Sequence, residues 1–150
     1  GSEMCIRDSL YACHPRARQI LALRDVRLHP LVRVHPPLGF HDYNQLQLHA
    51  YCVLSDSGTL PEESSFFRGQ GLSFPAVCLR TSTERPEALE RGAFLLAGVQ
   101  VDQVLAAVKT AVAMGEGQDW GTMAEDYRNG KISDQVASII QSYAGLFSGK

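Results

Sequence analysis

The sequence has no apolar run approaching the ~20 residues that would cross a bilayer. It has no basic stripe either. Lysine and arginine number 14 against 16 aspartates and glutamates, a formal charge of −2. The cations are scattered along the chain, which argues against a nucleic-acid partner. No CxxC pair occurs among Cys5, Cys13, Cys52 and Cys78. Three of the four sit in or beside apolar runs and read as buried, reduced thiols, not as disulfides or zinc ligands. His14, His29, His35, His41 and His49 lack an i,i+4 histidine and a cysteine at ligand spacing, so no metal is expected. Walker loops, GxGxxG and a Ser-His-Asp set are missing, as are internal repeats and low-complexity tracts. No basic segment followed by an apolar one opens the chain, so no signal peptide is read and the cytoplasm is the expected compartment.

What remains suits one α/β domain. The 150 residues are 45% apolar and 20% charged. Residues 1–9 begin Gly-Ser, show neither helical nor strand periodicity, and read as a non-native or disordered leader. The domain is expected over residues 10–150. Strands are expected at Leu10–Cys13, Leu31–Val34, Tyr51–Leu54, Pro75–Leu79 and Ala93–Ala97. The Tyr51–Leu54 run, continuously apolar, reads as covered on both faces. Helices are expected at Arg16–Leu23, at Asp42–Ala50 with Asp42 as N-cap, and at Leu60–Phe67. Val101–Met114 carries apolar residues at 101, 104, 105, 108 and 112, a helical stripe. Trp120–Arg128 and Ser133–Phe147 follow, with Gly130 as a stop between them. Alternating strands and helices imply a Rossmann-like, doubly wound parallel sheet with a helical tail.

Two segments carry candidate chemistry. In Asp56-Ser57-Gly58-Thr59 a strand ends and a helix begins, so free amides and the helix dipole favour an anion. Gly58 lets a phosphate approach the backbone, and Ser57 adds a hydroxyl. An ordinary helix cap with acids at Glu62 and Glu63 in its first turn fits the same residues. The second segment is Thr83-Glu84-Arg85-Pro86-Glu87, just past the next strand. An arginine fork binds phosphate bidentately. Alone, Arg85 reads equally as a surface cation paired with Glu84 or Glu87. Together the two segments fit the ligand crevice at the carboxyl edge of a parallel sheet. His14, at a strand exit, is ligand-proximal on one reading and bonded to backbone on another. Tyr43 either stacks on a base or fills the core.

From about Leu10 to about Gly98 the chain resembles the C-terminal domain of the non-hydrolysing UDP-N-acetylglucosamine 2-epimerases, in the branch that makes capsule and O-antigen sugars. The matching stretches are Cys13-His14-Pro15-Arg16, Pro37-Leu38-Gly39-Phe40-His41-Asp42-Tyr43, Leu54–Thr59 with Glu62-Glu63, Phe74-Pro75-Ala76-Val77 and Thr83–Glu87. They stand in the family's order at nearly its spacing. The resemblance implies one half of a two-domain, GT-B-like isomerase that holds UDP or a UDP-N-acetyl sugar in its cleft, with no cofactor and a homodimeric parent. It implies that Ser57 and Gly58 contact the diphosphate, with Thr59 beside them. It also implies that Glu63 accepts from the ribose hydroxyls and Arg85 lies near the phosphates. Phe40 and Tyr43, within Gly39–Tyr43, would lie against uracil. In the family a proton leaves C2, UDP is eliminated to a glycal, and UDP adds back with inverted C2.

Three departures stand out. The family's N-terminal domain, with its proton-transferring carboxylates and lysine, has no counterpart here, so no catalytic residue is expected and the chain alone is expected to be inactive. The His-Arg segment that opens the family's C-terminal domain is likewise missing. Phe67-Arg68-Gly69-Gln70-Gly71 reads as an inserted surface loop of about five residues, cheap in stability. Two other readings use the same features: the donor-binding half of a GT-B glycosyltransferase, and a non-catalytic UDP-binding fragment. An exposed sheet edge also predicts self-association.

Overall fold

The computed structural model describes residues 8–116, 123, 125–128 and 132–147. The chain divides into two compact units, 1–46 and 47–150.

In the first unit, β1 (Ser9–Ala12) pairs in parallel with β2 (Val32–His35), Ser9 opposite Val32 and Ala12 opposite His35. Helix α1 (Pro15–Leu23) is the crossover. His14 caps it from an extended backbone, and its ring accepts the Arg16 N–H at 3.3 Å. Pro15 stands at the start of the helix, where its missing N–H costs nothing. Asp25, at φ 46°, turns the chain out of the helix, a left-handed conformation that aspartate tolerates.

Helix α2 (Phe40–Leu48) starts two residues before the expected Asp42. The Tyr43 N–H already bonds the Gly39 carbonyl at 2.9 Å, so Asp42 lies in the first turn and serves the dipole instead of capping. Leu46 is exposed, and Gln47, a polar residue, is the buried one.

In the second unit the strand order is β3–β4–β5, all parallel: Val53–Ser55, Ala76–Cys78 and Leu95–Leu96. Helix α3 (Leu60–Gly69) joins β3 to β4, α4 (Pro86–Glu90) joins β4 to β5, and α5 (Val101–Glu116) follows. Alternation along β4 divides the core between two faces. Ala76 and Cys78 face a cluster with Leu60, Phe74, Ala88 and Phe94. Val77 packs on the other side with Ala97 and Ala111, beneath Val104 and Val108 of α5. Helices thus cover both faces of a parallel sheet, the expected doubly wound arrangement.

Four local expectations change. The Tyr51–Leu54 run is not covered on both sides. β3 has β4 as its one neighbour among the described residues, Val53 is buried, and Tyr51 and Leu54 are half-exposed. Along α5 the inward face is 104, 107, 108 and 111, while Val101 and Leu105 point outward. The segment 67–71 is not a loose loop. Arg68 and Gly69 finish α3, Phe67 stacks on Phe74 with centroids 5.1 Å apart, and Gly71 turns the chain at φ 77°. Of the expected Trp120–Arg128 helix, Glu125–Tyr127 forms a single 3-10 turn, while Trp120 and Gly130 lie outside the described residues. Helix α6 (Ile132–Phe147) matches its expectation to one residue. Among the described residues no helix is long and apolar enough to cross a membrane.

Candidate functional site

Strands β3 and β4 are parallel neighbours, so the segments leaving them emerge at the same sheet edge. Residues 56–59 leave β3 and residues 79–85 leave β4. In the first segment the Ser57 N–H bonds Ser55 Oγ at 3.0 Å and the Thr59 N–H bonds Ser57 Oγ at 3.3 Å. These serine bonds fold the turn tightly. They also use two amides that the sequence left for an anion. The Gly58 amide makes no hydrogen bond among the described residues. A Cβ at Gly58 would stand 4.0 Å from Arg80 Nη1, so this guanidinium borders the glycine.

Helix α3 begins without a side-chain cap bond from Thr59. The Thr59 hydroxyl instead donates to Glu63 Oε1 at 2.9 Å. A hydroxyl has one hydrogen, so the 2.9 Å contact between Ser57 Oγ and Thr59 Oγ1 must take its hydrogen from Ser57. The result is a directed run, Ser57 to Thr59 to Glu63. To donate to a phosphate, the Ser57 hydroxyl must turn away from Thr59. The other oxygen of Glu63, Oε2, accepts from Gln47 Nε2 at 2.9 Å.

Arg85 caps the N-terminus of α4, where Pro86 opens the helix, and its N–H bonds Thr83 Oγ1 at 3.1 Å. Its Nε donates to Glu62 Oε1 at 2.7 Å. The expected partners were Glu84 or Glu87. Glu62 takes the role because α3 and α4 pack side by side, a neighbourhood that sequence spacing cannot show. That hydrogen bond and the Glu62 charge push the Arg85 guanidinium above its ordinary range. Glu87 accepts instead from the Tyr127 hydroxyl at 2.6 Å, which holds its carboxyl below the usual value.

The structure therefore brings together Ser57, Thr59 and Glu63, and separately joins Arg85 to α3. Two residues were missed: Arg80 and Gln47. Arg80 sits at the end of the expected Pro75–Leu79 strand, so its position at the sheet edge was available from the sequence. Gln47 gave no such signal. Phe40, Tyr43 and His14 belong to the first unit; Phe40 is exposed, Tyr43 half-buried, and His14 bonds backbone. The apolar groove lined by Leu79, Val99, Val101, Val104 and Leu105 contains none of these polar residues.

One sheet edge of the second unit thus carries a glycine turn, two arginines and a carboxylate bonded on both oxygens. The chain belongs to the UDP-N-acetylglucosamine 2-epimerase family, whose model matches residues 6–141. A UDP-N-acetylglucosamine 2-epimerase of Methanocaldococcus jannaschii is 26% identical over 135 residues, which is 87% of this chain and 34% of that protein. The solved structure of the Rickettsia bellii enzyme superposes with a TM-score of 0.76 at 31% identity, covering 91% of this chain and 37% of that one. The M. jannaschii enzyme in complex with UDP-GlcNAc and UDP gives 0.71 at 25% identity, covering 90% and 36%. The chain thus spans about a third of the length of these relatives.

Proposed function

We propose that this chain is the UDP-holding part, residues 10–150, of an enzyme that inverts C2 of a UDP-N-acetyl sugar by eliminating and re-adding UDP. In this reading Gly58, Ser57, Arg80 and the Nη end of Arg85 receive the diphosphate. Glu63 accepts from the ribose, with Thr59 at its side. Holding UDP is the chemical contribution: a leaving group kept in place re-adds as if intramolecularly.

The observation that carries the reading is the occupancy of Glu63. A carboxylate offers about four lone-pair sites. Gln47 and Thr59 use two, one on each oxygen. The two that remain match the two adjacent hydroxyls of a ribose. The orientation of Arg85 adds support. With Nε fixed by Glu62, its Nη edge is left to grip phosphate oxygens.

Replacing Arg85 by alanine is expected to weaken UDP binding by about ten- to a hundredfold, the worth of a charge-assisted bond. Calorimetric titration measures it. Unchanged affinity would remove Arg85 from the site.

A further inference from the structure

Gln47 is the anomaly of the second unit. It stands near the end of α2, on the helix face where an apolar residue is ordinary, and only 6% of it is exposed. Its Nε2 donates to Glu63, sixteen residues away. Its Oε1 is buried and accepts no hydrogen bond among the described residues. A buried amide oxygen without a donor is a cost to folding. A leucine or methionine of similar size would avoid that cost. The residue therefore opposes stability where it sits, and the one polar bond it makes goes to the carboxylate of the candidate site.

That bond complements the one from Thr59. Thr59 reaches Oε1 from the turn after β3, and Gln47 reaches Oε2 from α2. Two donors from different elements, one on each oxygen, fix both the position of a carboxylate and the rotation of its plane. A side chain with three flexible torsions is otherwise free to turn its remaining lone pairs away from a ligand. Preorganising an acceptor this way removes the ordering cost at the moment of binding.

We infer that Gln47 is a positioning residue for ribose recognition: its amide locks the Glu63 carboxylate so that the two unused lone pairs face the vicinal hydroxyls of the nucleotide. This rests on the assignment of Glu63 to the ribose. It makes Gln47 a residue that trades stability for sugar discrimination.

The test compares UDP with 2′-deoxy-UDP by calorimetry on the full chain and on Gln47→Met, with thermal unfolding of both. The expected result is a ribose preference of about tenfold in the unaltered chain, falling to about two- to threefold in the variant, the worth of one oriented hydrogen bond. Unfolding is expected at the same or a higher temperature. Thr59→Val, at an exposed position, removes the other donor and is expected to lower the ribose preference similarly. A variant that keeps the full preference overturns the role of Gln47 while leaving the nucleotide site intact. Loss of the fold in Gln47→Met also overturns it, because the amide would then be structural. An unaltered chain that binds UDP with no ribose preference, or not at all, defeats the assignment of Glu63 and this inference with it.

Discussion

Residues 8–46 and residues 47–147 both set parallel strands beside crossover helices. They bury very different amounts. In the first unit Cys13 is the one fully buried apolar side chain among the described residues, and Ile20 and Leu23 of α1 are 51% and 86% exposed. In the second, Leu60, Phe74, Val77 and Phe94 are at or below 1%. Hydrophobic periodicity was present in both. It produced the elements in both, but a core forms only where a second layer covers the stripe. β4 has α3 and α5 against it, whereas α1 has no buried residue. The charged and hydroxyl groups of the candidate site stand on the well-packed unit. A rigid scaffold of that kind is what a clamped carboxylate requires.

The sharpest way to break this contrast is to cut into both units equally. Phe74→Ala is expected to cost about 3–5 kcal/mol, the usual range for a buried aromatic. Leu23→Ala is expected to stay within about 0.5 kcal/mol, as for an exposed position. Urea denaturation midpoints measure both. Comparable losses would mean that the first unit has a core of its own weight.

A smaller effect sharpens the limits of the second unit. Phe67 stacks on Phe74 and packs against the core from the end of α3. Phe67→Ala is expected to cost about 1–3 kcal/mol, below the full value because the ring is part-exposed. The same denaturation series would show it. A cost near zero would restore segment 67–71 to the status of a dispensable loop.

Much of the fold was legible because its signals are local. All five strands and the helices at 15–23, 60–69, 101–116 and 132–147 fall where spacing and breakers put them. The turn at Asp56–Thr59 and the arginine after β4 were legible for the same reason: a strand–turn–helix corner is a short-range pattern. The rest depends on contacts between elements. Glu62 is the partner of Arg85 because two helices lie side by side, twenty-three residues apart in sequence. Segment 67–71 looked like a glycine-rich loop, yet Phe67 anchors it to a strand-side phenylalanine. Gln47 was passed over because a polar residue within a helix reads as solvent-facing. Its burial goes with its own unit, whose core Leu48 and Ala50 also pack against. The Ser57 hydroxyl, expected to point at a ligand, is committed to Thr59, a consequence of hydrogen counting that needs coordinates.

The central claim is that the edge of β3 and β4 receives a diphosphate beside a ribose. Titrating the chain with UDP and with UMP tests it most directly. The account predicts that UDP binds and that UMP, lacking the second phosphate, binds at least about tenfold more weakly, as expected for the loss of charge-assisted bonds. Equal affinity for the two, or no binding of UDP by a folded chain, would contradict it.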